Sequence, residues 1–229
     1  MNVAALWRYP VKSMLGEPCR EVELDARGVK GDRVFAVRDR DAKLGSGKDT
    51  RRFRSIEGLF SLSARWDGEW PEIAFPNGRR LRGDDPGIDQ ALSAALGVAV
   101  TLARESDVPH FDSDPIHVVT TASLDWLRVR LPGSRIDERR FRPNIVLDAP
   151  GEGQPELSWT GRTLRVGEAT LRITSSTERC RMTTLAQADL PADPLVLRAI
   201  AQDADVRFGV YAETITPGRI AVGDCAIFA

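Results

Sequence analysis

Apolar and polar residues alternate in short runs along most of this chain, and Gly, Pro, Asn and Asp punctuate the runs. A period of two broken by turn formers predicts strands more than helices. Strands are expected at residues 3–9, 19–24, 34–38, 59–66 and 98–103 in the first half. Residues 72–81 contain Pro76-Asn77-Gly78, and Asn-Gly favours the positive φ angles of a tight hairpin. In the second half strands are expected at 117–120, 144–147, 163–166, 169–174, 210–215 and 219–228. The Thr216-Pro217-Gly218 turn would join the last two as barrel-closing strands. Three segments change period. Residues 88–96 read as a helix, with Pro86 near its start and Gly97 after its end. Residues 121–131 read as a helix capped by Thr121 and stopped by Pro132-Gly133. Residues 194–203 place Leu195, Leu197, Ile200 and Ala201 on one face.

The fold class expected is therefore mostly β with a few helices (α+β), and many short strands favour a barrel over a sandwich. A polar stretch, residues 104–115, carries Pro109, Asp112, Asp114 and Pro115. It suggests a division into regions 1–108 and 109–229.

Composition narrows the functional classes. With 42% hydrophobic and 28% charged residues among 229, and a net charge of -1, the profile is that of a soluble globular protein. No apolar run approaches the roughly 20 residues that span a bilayer. Residues 1–8 lack a basic segment followed by an apolar core, so the start reads as mature protein and not as a signal peptide. Cys19, Cys180 and Cys225 are far apart and odd in number, which argues against a disulfide framework and makes a reducing cytoplasm the expected setting. Two histidines and no clustered thiols argue against a zinc site. Between Arg27 and Arg54, ten basic residues face four acids, a bias that attracts anions or else forms a solvated face. Only Phe35 and Phe53 interrupt those cations, too few aromatics for a nucleic-acid stacking platform.

Chemistry concentrates in short motifs. Thr177-Glu178-Arg179-Cys180-Arg181-Met182-Thr183-Thr184 sets a cysteine between two arginines. Flanking cations favour a thiolate, and a thiolate is a soft metal donor. The other reading is a structural cysteine at a strand end. Tyr9-Pro10-Val11-Lys12-Ser13 leaves the first strand at a proline, so Lys12 and Ser13 offer a charge and a hydroxyl suited to a phosphate. Arg33 follows the glycine-rich turn Gly28-Val29-Lys30-Gly31-Asp32 and can fork onto an anion. Gly45-Ser46-Gly47-Lys48 resembles part of a phosphate loop but lacks the full Walker pattern, which excludes an ATPase reading. In Arg139-Arg140-Phe141-Arg142-Pro143-Asn144, strand alternation would point Arg142 outward and Phe141 inward. Asn144 has the donor and acceptor that a pterin edge requires, although a basic edge against aggregation explains the segment as well. Tyr211 is a candidate to face the site. His110 and His117 form no triad, and His117 reads as a core or edge residue.

In order and over nearly the whole chain, these motifs resemble the MOSC (molybdenum cofactor sulfurase C-terminal) family in its two-part form. The resemblance is carried by Tyr9-Pro10-Val11-Lys12-Ser13, Gly31-Asp32-Arg33, Phe141-Arg142-Pro143-Asn144, Arg179-Cys180 with Thr183-Thr184, Phe208-Gly209-Val210-Tyr211 and Val222-Gly223-Asp224. It implies a MOSC-type β-barrel preceded by a smaller β-barrel-like N-terminal region. It also implies molybdenum cofactor (Mo-molybdopterin), with Cys180 as the metal's thiolate ligand and catalytic residue. Lys12, Ser13, Arg33, Arg142, Asn144, Arg179 and Thr183 would be cofactor-binding. Family-level vocabulary adds pyridoxal phosphate binding. The implied activity is two-electron reduction of N-hydroxylated (N–O) compounds, the oxygen leaving as water. Because no iron–sulfur cysteine cluster is present, electrons would come from a separate ferredoxin- or cytochrome-like donor protein. The partners expected are that donor and a small N-oxygenated molecule, with no nucleic acid and no membrane. The alternative is a non-catalytic carrier of molybdenum cofactor or sulfur that uses Cys180. Two positions depart from the pattern. Thr177 stands where relatives often have a second cysteine, and Ala186-Gln187 stands where they often have Asp-Pro beside the way in for substrate.

Overall fold

A computed structural model describes residues 1–229. Its largest sheet has eight strands, and their order departs strongly from chain order. From one edge they are Ala226–Phe228, Thr163–Val166, Ala169–Glu178, Arg207–Thr216, Ile116–Thr120, Ile145–Asp148, Asn2–Arg8 and Glu17–Cys19. All neighbours are antiparallel except Ile116–Thr120 beside Ile145–Asp148, which are parallel and joined through the helix α1 (Thr121–Arg130). The first strand of the chain thus lies against a strand from the second half, with Leu6 opposite Ile145. Alternate residues of these strands, including Val3, Leu6, Val118, Leu171 and Val210, bury one continuous apolar core.

The expected barrel takes a different form. The eight strands do not close as a barrel. The sheet's far edge is instead pinned to the start of the chain by Val3 N–H to Asp224 O (2.9 Å) and Ala226 N–H to Met1 O (2.8 Å). The expected hairpin across Pro217 is also corrected. Gly218–Ala221 pairs with Glu21–Asp25 in a separate three-stranded sheet, not with Arg207–Thr216. Pro217 has no N–H to contribute to a ladder, and the chain changes sheet there.

Residues 11–100 supply a second core around Val11, Phe35, Val37, Leu62, Ile73 and Leu92. Two smaller sheets flank it, one of them Thr101–Arg104, Phe35–Arg38, Leu44–Ser46 and Phe53–Ser55. Residues 59–66 divide into a 3-10 turn, Leu59–Ser61, and a strand, Ser63–Trp66. The helix Ile88–Leu96 has the expected bounds. α1 is capped one residue earlier than expected, because Thr120 Oγ1 accepts the Ser123 N–H at 3.1 Å. The third helix, Pro194–Ala204, packs with α1 over Phe141 and Phe208, whose rings stack at 4.1 Å.

The polar stretch 104–115 is stitched down on both sides. Glu105 takes both Arg27 donors at 2.7 and 2.6 Å and the His110 N–H at 2.8 Å. Asp112 accepts from Lys12 Nζ at 2.7 Å, and Asp114 from Thr174 Oγ1 at 2.6 Å. No helix is long and apolar enough to cross a membrane.

Candidate functional site

The motifs converge on a narrow cleft of about 110 Å³. Lys12, Ser13, Arg33, Arg142, Arg179 and Cys180 all line it. Backbone conformation places three of them. Ser13, Arg33 and Arg142 have φ of 63°, 51° and 54°, the left-handed region. Such residues cost about 1 kcal/mol each and persist where the surroundings over-determine them. The left-handed turn at Arg142 follows a 3-10 turn, Glu138–Phe141. This overturns the alternation expected there, and Phe141 and Arg142 are both buried. The other two arginines of that motif serve the fold. Arg139 pairs with Asp137 and Asp189, and Arg140 donates to the carbonyls of Arg135 and Pro191.

Charge in the cleft is unbalanced. Arg33 is paired with Asp32, and Lys12 with Asp112. Arg142 is buried and Arg179 half-buried, and neither has a carboxylate partner. Arg142 Nη1 donates to Met14 O at 2.6 Å, and its guanidinium lies 4.2 Å from the Tyr9 ring centre. Arg179 Nη2 donates to Phe141 O at 2.8 Å. Each keeps one buried N–H group without an acceptor, Arg142 at Nη2 and Arg179 at Nε. Burial, followed by the nearby Arg33 charge, lowers the Arg142 pKa to about 10. Burial also lowers that of Arg179, opposed by Tyr211 and Cys180. Unpaired buried cations are costly. An anion in the cleft would remove that cost.

The two arginines around Cys180 part company. Arg179 turns into the cleft, whereas Arg181 is exposed beside a second, larger cavity. Cys180 is half-buried, two residues past the strand Ala169–Glu178 and at the head of a 3-10 turn, Arg181–Thr184. Thr183 is not on the cleft wall. It is buried, and its Oγ1 donates to Cys180 O at 3.0 Å, which fixes the turn. Asn144 is likewise committed to protein. Its Oδ1 accepts from His117 N–H at 3.1 Å and Arg33 Nη1 at 3.3 Å, and its Nδ2 donates to Trp7 O at 3.4 Å. It lines a side cavity of about 30 Å³. Both residues therefore position their neighbours here, and do not present free polar edges.

The cleft also contains residues that sequence reasoning left aside. His117 is buried, with Nε2 3.3 Å from Arg179 Nη1. A guanidinium only donates, so Nε2 accepts and the ring proton sits on Nδ1. Burial, then the Arg179 and Arg33 charges, keep this imidazole neutral. Its strand register opposite Tyr211 was the available signal, but strand pairing is not readable from one sequence. Ser46 and Lys48 come from the glycine loop excluded as a nucleotide site, and they line the same cleft. Lys12, over the Phe53 ring at 4.7 Å, is lowered by burial to about 8, with Asp112 pulling it back up. Burial alone would raise Asp112, but Lys12 draws it down to about 2. No three His, Cys, Asp or Glu residues group to hold a metal. A metal here would have Cys180 as its protein ligand, with its remaining donors carried in by a cofactor.

Residues 105–226 match the MOSC domain, and residues 1–56 match the MOSC N-terminal beta barrel domain. The chain belongs to the MOSC family. It is 24% identical to mitochondrial amidoxime-reducing component 1 of Mus musculus over 97% of this chain and 81% of that protein. Identity to the Homo sapiens protein of the same name is 25%, with the same shares covered. Among solved structures, the YUAD protein from Bacillus subtilis aligns with a TM-score of 0.53 at 15% identity. That alignment covers 98% of this MOSC chain and 93% of the other, and at this identity it speaks to the fold alone.

Proposed function

We propose that this MOSC protein binds molybdenum cofactor and reduces N-hydroxylated compounds, with electrons from a separate donor protein. One observation carries the reading. Two guanidiniums, each with one buried nitrogen that lacks an acceptor, flank a free thiol in one cleft. That donor set fits an anionic cofactor whose metal needs one protein thiolate. The names of the amidoxime-reducing relatives add the reaction class.

Molybdenum cofactor, when bound, supplies the two-electron redox chemistry. The protein's part is orientation and charge. Cys180 Sγ offers the thiolate. Arg142 and Arg179 would supply positive charge for its anionic oxygens, and Lys12, Ser13 and Lys48 would suit its phosphate. Neutral His117 holds the Arg179 guanidinium through Nε2 without adding charge. In the overall reaction the substrate N–O bond breaks, two electrons and two protons are taken up, and oxygen leaves as water. The family's association with pyridoxal phosphate is not needed for this reading.

The test is protein purified from a host that makes the cofactor, supplied with a chemical reductant and an amidoxime. Wild type is expected to turn over. Loss of even supporting groups at metal sites costs about 10–100-fold, so Cys180→Ala is expected to lose about 100-fold or more. Bound cofactor without turnover in wild type would favour the carrier function instead.

Lys12 adds a pH dependence. An anion prefers the charged ammonium, and in the cofactor-free protein that form prevails only below about pH 8. Cofactor affinity is therefore expected to fall by up to about tenfold per pH unit above that value. Equilibrium dialysis of released cofactor against pH checks this, and Lys12→Arg is expected to flatten the profile.

A further inference from the structure

Beside the ionic cleft lies an apolar cavity of about 700 Å³. Its wall includes Ile56, Leu59, Phe60 and Leu185, of which the first three are buried and Ile56 and Leu59 belong to the second core. The two spaces share one wall residue. Met182 lines both, and its Sδ accepts the Gly47 N–H at 3.0 Å. Gly47 faces the apolar side, while its neighbours Ser46 and Lys48 face the cleft. A Cβ on Gly47 would stand 2.3 Å from Met182 Sδ and 2.9 Å from Leu185 Cδ1, so these two side chains pack closely on the glycine and would have to shift for a larger residue. Phe60 makes a second link, its ring 5.5 Å from the Arg142 guanidinium.

We infer that this cavity is the substrate chamber, and that it selects uncharged N-hydroxylated molecules with an aromatic or other bulky apolar tail. The inference rests on the reductase reading for the chemistry of the head group, and on the cavity for the tail. The volume falls within the roughly 300–1,000 Å³ typical of small-molecule sites. A tail seated against Ile56, Leu59 and Phe60 leaves its head at Met182, two residues along the chain from Cys180. An anionic head would instead be drawn to the unpaired arginines and compete with the cofactor. The adaptable thioether of Met182 suits a partition that yields to different tails. Ala186, the first of the two residues Ala186-Gln187 that depart from the family pattern, forms part of the chamber wall.

The test compares benzamidoxime with acetamidoxime, which share a head group and differ in the tail. Calorimetry on the cofactor-loaded protein without reductant measures binding, and turnover with reductant measures KM. Wild type is expected to bind benzamidoxime about tenfold or more tighter than acetamidoxime, from burial of the ring. Ala186→Trp and Ser61→Trp fill the chamber from two different segments. At least one is expected to weaken benzamidoxime binding by about tenfold while acetamidoxime changes less than about twofold, with Tm and molybdenum content retained. Equal wild-type affinity for the two amidoximes, or unaltered benzamidoxime binding in both variants, overturns the chamber. Selective binding without reduction supports the chamber and fails the reductase. Reduction of both amidoximes at equal KM does the reverse.

Discussion

Arg142→Met is expected to make the cofactor-free protein more stable and to empty the protein of cofactor. Arg142 is 9% exposed and left-handed at φ 54°. It stacks on Tyr9 and Phe60, faces the like charge of Arg33, and has Nη2 unpartnered. Replacing a buried charge by an apolar residue of similar size is often stabilising by about 1–4 kcal/mol. Against that, Met14 O loses its hydrogen bond, at about 1 kcal/mol. The thioether chain keeps most of the ring contacts. A net gain of about 1–2 kcal/mol in urea unfolding of the cofactor-free protein is therefore expected. Cofactor retained on purification should fall about tenfold or more, because a charge-assisted contact to an anion is lost. Stability kept for function is spent at such positions. A destabilised variant that still holds cofactor would contradict the account of this arginine.

Gly209→Ala is expected to be among the most damaging small substitutions in the chain. Gly209 adopts φ 81°, and a Cβ there would lie 2.5 Å from His117 Nε2 and 2.8 Å from Val118 O. The left-handed backbone costs alanine about 1 kcal/mol. Overpacking against a neighbouring strand adds about 1–3 kcal/mol, because backbone cannot swing aside as a flexible side chain can. The sum, about 2–4 kcal/mol, is measurable by urea unfolding. The methyl would also push His117 off Arg179, so cofactor content should fall with stability. Gly78→Ala is the matched control. It has φ 83° and open space around its Cβ position, and only the backbone term of about 1 kcal/mol is expected. Equal effects at the two glycines would show that the contact with His117 is not the source of the loss.

The positions of many strands were legible in the alternation of apolar residues, because one face of each strand must be buried. The helix Ile88–Leu96 was legible to the residue, since Gly97 takes the left-handed φ that ends it. Lys12, Ser13, Arg33, Arg142, Arg179 and Cys180 were singled out by residue type, and the fold brings those six to one cleft. Direction was not legible. Strand alternation assumes extended backbone, and Ser13, Arg33 and Arg142 break it with positive φ. Asn144 and Thr183 had the right chemistry in the right motifs, yet their polar atoms bind protein. His117 and Tyr211 meet through pairing of strands that are distant in sequence, and that register comes from tertiary packing. The Pro217 turn failed as a hairpin signal for the same reason, because a better partner strand lay almost 200 residues away at Glu21–Asp25.

The cofactor content of the purified protein decides whether the cleft holds molybdenum cofactor through Cys180. Wild type and Cys180→Ala are purified from a host that makes molybdenum cofactor, and bound metal and pterin are measured by elemental analysis and pterin fluorescence. The account predicts molybdenum and pterin approaching one each per wild-type chain, and molybdenum lost from Cys180→Ala. A wild-type protein that emerges empty from such a host, or a Cys180→Ala variant that holds as much molybdenum as wild type, would contradict it.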